Sequence, residues 1–148
     1  SILHEDKDIT SLLRSETTAK IASELSALPK TREDLLTIQR DFYNQDGLVA
    51  DGRDMGTVVF PKAALKIFLT ASPEVRAKRR HLELQKRGQE VNMLDLIADI
   101  ELRDMKDRTR TLSPLIPAED SVVIDSSNMS IDEVLSFTKK LTKKEFNK

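Results

Sequence analysis

Apolar positions along the chain switch between helical spacing and short continuous runs. Residues roughly 15 to 28 carry Ile21, Leu25 and Leu28 at helical spacing, and Pro29 ends that segment. Thr31 with Asp34 three residues on reads as an N-cap and capping box. The helix it opens carries Leu35, Ile38 and Phe42 on one face and stops near Asp46-Gly47. The run Leu48-Val49-Ala50 predicts a strand at 48–51, and Ala64–Leu69 predicts a second. Ser72-Pro73-Glu74 then opens a helix towards Arg87-Gly88, with Ser as N-cap and Pro in the first turn. Asn92 with Asp95 caps a further helix to about Arg110, and Pro114 and Pro117 mark a loop. Ser121–Asp125 reads as a third buried strand. Ser130 with Glu133 caps a last helix whose core face is Ile131, Val134, Leu135, Thr138 and Leu141. Strands alternating with helices predict an α/β fold with a parallel sheet, its short apolar strands buried on both faces. Three strands are few for such a sheet, and the first half of the chain supplies only helices and a stub.

Composition narrows the class. Of 148 residues 33% are charged and 39% hydrophobic, an ordinary balance for a cytoplasmic protein, the expected location. The net charge of -1 gives no global basic field for nucleic acid. The sequence has no cysteine and only two histidines, far apart, so no metal site is expected. No apolar run approaches the roughly 20 residues that span a bilayer. The chain starts at Ser1 without an initiator Met, which suggests a start inside a longer chain.

Three constellations could carry chemistry. In Asp51-Gly52-Arg53-Asp54-Met55-Gly56 a guanidinium stands between two carboxylates with glycines on both sides, at the tip of the expected first strand. In open α/β sheets ligands sit at that end, and such a loop suits a phosphate-bearing ligand. The plainer alternative is a turn with an internal salt bridge. Next, the stripe Met93, Leu96, Ile97 and Ile100 continues by the same steps into Arg103, Asp107 and Arg110. A face that turns from hydrocarbon to charge fits a polar cleft filled by an anion; it equally fits surface ion pairs at helical spacing. Finally, Arg76, Lys78, Arg79, Arg80, His81, Lys86 and Arg87 form a basic run leading into Gly88. It reads as a solvated face or as a mobile flap over a polyphosphate. Ser23 and Arg32, polar positions on amphipathic helices, read by themselves as surface residues.

The block Asp51-Gly52-Arg53-Asp54-Met55-Gly56-Thr57-Val58-Val59-Phe60-Pro61, followed by Leu65–Ser72, closely resembles the middle of bacterial cytidylate kinases. The resemblance continues through Arg79-Arg80, Glu83–Gly88, Val91-Asn92, Arg103-Asp104, Asp107–Arg110, Pro114–Ala118 and Val123–Ser127. It implies a nucleoside monophosphate kinase fold of the P-loop NTPase type and transfer of the ATP γ-phosphoryl group to CMP or dCMP. Mg²⁺ would accompany ATP as co-substrate. The resemblance gives Arg53 and Arg103 the acceptor phosphate and the transferred group. It gives Asp54 and Arg32 the cytosine edge, with Ser23 assisting. Asp107 and Arg110 would hold the ribose hydroxyls and nearby groups. Arg79 and Arg80 would belong to a lid over ATP, and Asp125-Ser126-Ser127 would lie near adenine. Residues 1–30 would be the remainder of a monophosphate-binding insertion, and 31–148 the core with a lid around 79–95.

One part of the family pattern is not in this sequence. The four glycines, Gly47, Gly52, Gly56 and Gly88, include none in a Gly-Lys-Ser/Thr triplet. The phosphate loop and first strand are therefore expected to be absent, leaving the fold incomplete and the strands at 48–51 and 65–69 without a neighbour between them. These 148 residues alone are expected to be inactive and unstable. The competing function is a non-catalytic CMP-binding module that needs a partner chain for ATP. An RNA-binding reading of the basic helix is disfavoured by balanced charge and 4% aromatics. A monomer is expected from analogy, with no nucleic-acid or membrane partner.

Overall fold

Local capping sets most element boundaries in the computed structural model, which describes residues 1–13 and 15–147 in two compact units, Ser1–Val49 and Ala50–Lys148. The first unit opens with β1 (Leu3–His4) and β2 (Lys7–Asp8), an antiparallel pair with Leu3 opposite Asp8. Glu5 and Asp6 take φ of 48° and 60°, the left-handed pair that a two-residue type I′ turn needs. Glu-Asp is a poor signal for that turn beside Asn-Gly, and the apolar pattern does not announce the hairpin. In α1 (Thr10–Leu13) the Thr10 amide donates to Asp8 Oδ1 at 2.9 Å. In α2 (Glu16–Leu25) Ser15 is the N-cap, its hydroxyl accepting from the Thr18 amide.

The start of α3 (Pro29–Asp41) corrects the sequence expectation. The helix begins at the proline after Leu28, without a side-chain cap, and the Thr31/Asp34 box is not its N-terminus. Proline at the first position loses no hydrogen bond and brings a helical φ, so the helix starts there. It also stops at Asp41, short of Asp46-Gly47. None of the described residues in this unit is buried. Ile21, Leu25, Leu28, Leu35, Ile38 and Phe42 are all exposed, whereas Arg32, Leu36 and Gln39 are half-buried. The apolar faces of α2 and α3 thus find no packing layer within their own unit.

The predicted strand at 48–51 does not form: the segment is irregular, and Val49 is 100% exposed. A strand is defined by its hydrogen-bonded neighbour, and no described residue pairs with this one. The backbone instead enters one π turn, Met55–Val59, where the Val59 amide donates to the Asp54 carbonyl at 3.2 Å. Gly52 lies close beside this turn, where a Cβ would approach the end of the Met55 side chain to 2.9 Å.

The second unit continues with β3 (Ile67–Thr70), α4 (Pro73–Lys86), α5 (Met93–Thr109), β4 (Val122–Asp125) and α6 (Ile131–Phe146). β3 and β4 are parallel, with Ile67 opposite Val122 and Thr70 opposite Asp125. The expected α/β arrangement of a parallel sheet and helices is present, with two parallel strands rather than three among the described residues. Lys66 staples its entry: Nζ donates to the Pro61 carbonyl at 2.6 Å and to both Asp120 oxygens at 2.8 Å. The small core comprises Val59, Ala71, Ala77, Leu84 and Ile124. Parallel strands are ordinarily covered on both faces, yet Leu69 and Val123 are 56% and 55% exposed.

Helix boundaries here follow the sequence closely. Ser72 caps α4, Asn92 Oδ1 caps α5 through the Leu94 amide, and Ser130 with Glu133 forms a complete capping box on α6. The core face of α6 needs correction: Val134, Thr138 and Leu141 are half-buried, but Ile131 and Leu135 are exposed. No helix among the described residues is long and apolar enough to cross a membrane.

Candidate functional site

Asp107 anchors the site. It is 4% exposed, in the last turn of a helix that begins with hydrocarbon. Met93, Leu96, Ile97 and Ile100 are half-buried and Leu94 is exposed, as the helical stripe predicts. A carboxylate carried inward on such a stripe requires compensating charge. It receives two: Arg53 Nη1 pairs with Oδ2, and Arg110 Nη1 donates to Oδ1 at 3.3 Å. Arg110 is itself tied down, its Nε donating to the Ser113 carbonyl at 2.6 Å. The Leu115 amide donates to the Asp107 carbonyl at 2.8 Å, folding the Pro114 loop back on the helix end.

This geometry decides between two pairs of alternatives. Arg53 reaches across the sequence to Asp107 rather than closing a salt bridge within its own loop, and Asp51 is exposed. Asp107 and Arg110 do not form a simple surface pair, because Asp107 is buried. Arg103, in contrast, is exposed and makes no ion pair among the described residues.

The arginines also act on one another electrostatically. Burial first, and then the positive charge of Arg103, hold the Arg53 guanidinium below the ordinary arginine value. Asp104 opposes that shift, while Arg110 and Arg76 add to it. Arg53, Arg76, Arg103 and Arg110 therefore act on one region, in which Asp107 pairs with Arg53 and Arg110 and Asp104 pairs with Arg76. Arginine stays protonated despite such a shift. A partly desolvated cluster of arginines suits an anion, and a phosphate monoester carries about -1.5 to -2 at neutral pH.

Asp54 is half-buried at the start of the π turn, and its carbonyl accepts from the Val58 amide at 2.9 Å. Ser23 on α2 and Arg32 on α3 are half-buried and belong to the first unit. Arg79 is held against the turn after β4: Nη2 donates to the Ser126 carbonyl at 2.7 Å and Nη1 to Ser126 Oγ at 3.2 Å. Arg80 pairs with Glu83 at 2.7 Å. Among the described residues no group of three or more His, Asp or Glu converges as a metal site.

Arg76 and Asp104 form a pair that the sequence does not foretell. Along the chain Arg76 stands out only within a basic run, and Asp104 only within a motif. Their contact joins positions 28 apart on separate helices, and no local spacing announces it.

Comparison with known proteins gives the family of the chain. The family profile described as cytidylate kinase matches residues 1–144. The chain belongs to the cytidylate kinase family. It is 52% identical over 134 residues to a protein named cytidylate kinase from Serratia proteamaculans, covering 90% of this chain and 58% of that one. Proteins of the same name from Photobacterium profundum and Stutzerimonas stutzeri are each 53% identical, again covering 90% of this chain and 58% of theirs. The chain thus spans somewhat over half the length of these relatives. Membership carries with it the P-loop nucleoside monophosphate kinase fold, of which β3, β4 and their helices supply a parallel α/β portion.

Proposed function

We propose that these residues form the monophosphate side and the lid of an enzyme that transfers the γ-phosphoryl group of ATP to CMP or dCMP. The observation that supports this most directly is the buried Asp107 shared by Arg53 and Arg110, with exposed Arg103 on the same helix. Phosphoryl transfer depends on positioning and charge neutralisation rather than on a strong nucleophile. In this reading Asp107 fixes the Arg53 guanidinium, and Arg53 and Arg103 bind the acceptor phosphate from two sides. As negative charge builds on the transferred group, their pre-placed N–H donors stabilise it without reorganisation. An ionised carboxylate offers about four acceptor positions, so Asp107 retains capacity for a ribose hydroxyl beside its two arginines. Arg110 assists there.

Asp54 and Arg32 read the cytosine edge in the same proposal, with Ser23 assisting. A carboxylate accepts from the exocyclic amine, and a guanidinium donates to the carbonyl and ring nitrogen. Residues 1–30 serve as part of the monophosphate-binding insertion, and 79–95 as the lid. Arg80 acts on ATP, while Arg79 braces the lid helix on the Ser126 turn at the adenine side. Mg²⁺ arrives with ATP; among the described residues no three His, Asp or Glu converge to hold it.

The test is a turnover assay of the full encoded protein with ATP and CMP, dCMP, UMP or AMP. CDP and dCDP formation above the other acceptors supports the reading, and AMP preference or no transfer overturns it. A second reading rests on the same arginines around Asp107, which can hold a nucleotide phosphate without any transfer. It is a non-catalytic CMP-binding module paired with another chain that binds ATP. Calorimetric CMP binding without any transfer by the full encoded protein selects this second reading.

A further inference from the structure

We propose that Arg76 and Asp104 are a positioning pair that fixes the base of the α4–α5 hairpin and keeps Arg103 open for the substrate phosphate; this role rests on the kinase reading above. Arg76 lies in the first turn of α4 and Asp104 in the last third of α5, so they meet at the hairpin end away from the loop at 87–92. Arg76 Nη1 donates to Asp104 Oδ1 at 2.9 Å and Nη2 to Oδ2 at 2.5 Å, a two-point fork that fixes direction as well as distance. Arg76 Nε donates to the carbonyl of buried Ala71, directly after β3, at 2.9 Å. One side chain therefore joins the end of β3, the start of α4 and the end of α5.

Two consequences follow for the phosphate site. Every nitrogen of the Arg76 guanidinium is engaged with protein acceptors, so Arg76 is a clamp rather than a phosphate ligand. The two acids that follow Arg103 on α5 are also occupied. Asp104 is taken by Arg76, and Asp107, one helical turn on, is taken by Arg53 and Arg110. Arg103 is left as the exposed cation among them. Breaking the fork would free Asp104 and loosen the helix end that carries Arg103. The same carboxylate also opposes the lowering of the Arg53 pKa by its cationic neighbours.

The experiment is steady-state kinetics of the full encoded protein with ATP and CMP, for wild type, Asp104→Asn, Arg76→Lys and Asp104→Glu, beside thermal unfolding of each. Asp104→Asn and Arg76→Lys should lower kcat by ~10–100-fold, as displacement by about 1 Å does, with KM for ATP changed by less than ~2-fold. Asp104→Glu, which retains a forked acceptor, should recover most of the kcat lost in Asp104→Asn. Wild-type kcat in both loss variants overturns the role. A fall in kcat that Glu does not rescue, and that tracks loss of folded protein, also overturns it. If Asp104→Asn does not fold, the kcat of Arg76→Lys decides by the same criteria. A wild type that binds no CMP and makes no CDP removes the kinase reading and this role together, an outcome distinct from an active wild type with indifferent variants.

Discussion

Replacing Asp107 by Asn removes one charge and almost no volume, so its effect isolates the electrostatic design of the site. The carboxylate is buried and serves Arg53 and Arg110 at once. Removing one partner of a fully buried ion pair costs about 3–5 kcal/mol, because the other charge stays behind uncompensated. Here the Arg110 side chain is 12% exposed, near that limit, but Arg53 is 34% exposed and water screens it. The amide oxygen of Asn still accepts one hydrogen bond. Together these reductions bring the expected loss to roughly 2–3 kcal/mol. For a unit of about 100 residues that lowers the thermal midpoint by ~10–20 °C. The assay is thermal unfolding of wild type and Asp107→Asn, with and without CMP. The variant should melt earlier and gain less from CMP, because Arg53 no longer has a fixed direction. A midpoint within ~2 °C of wild type would refute the claim that Asp107 compensates two arginines, since this shift corresponds to under about 0.5 kcal/mol.

Two further predictions concern the scaffold. Lys66→Met removes a nearly buried ammonium from the Pro61 carbonyl and the Asp120 carboxylate. It should cost ~1–3 kcal/mol in denaturant unfolding, and an unchanged midpoint would show that the staple contributes nothing. At α6 the Ser130 amide, and then its hydroxyl, hold the Glu133 carboxyl below its ordinary value. The stabilisation is therefore complete above the ordinary glutamate value of about 4.3 and is lost as pH falls through the lowered value. Ser130→Ala should cost ~1 kcal/mol at neutral pH and flatten the acid limb of a circular-dichroism titration; an unaltered limb would contradict the capping account.

What the sequence revealed was chiefly local chemistry. Ser72, Asn92 and Ser130 announce their helices because each cap is satisfied within two or three residues, independent of the rest of the chain. The stripe from Met93 to Asp107 was legible for the same reason, being a property of one helix. The strand at 48–51 was not, because its formation depends on a neighbour that an apolar run cannot supply. The exposed faces of α2, α3 and α6 show that periodicity reports amphipathicity, whereas burial needs a second layer. The site divides similarly. The types and loci of Arg53, Asp107 and Arg110 were readable, but their pairing across the sequence was not. Arg79 shows the reverse limit: its place in a basic run says nothing of its hydrogen bonds to Ser126.

In the proposed enzyme Arg53 and Arg103 face one phosphate, with Asp107 fixing the first of them. A crystal structure of the full encoded protein with CMP tests it most directly. The CMP phosphate should be bonded to both guanidinium groups, with Arg53 still paired to Asp107. A phosphate bound elsewhere, or held by neither arginine, would contradict it.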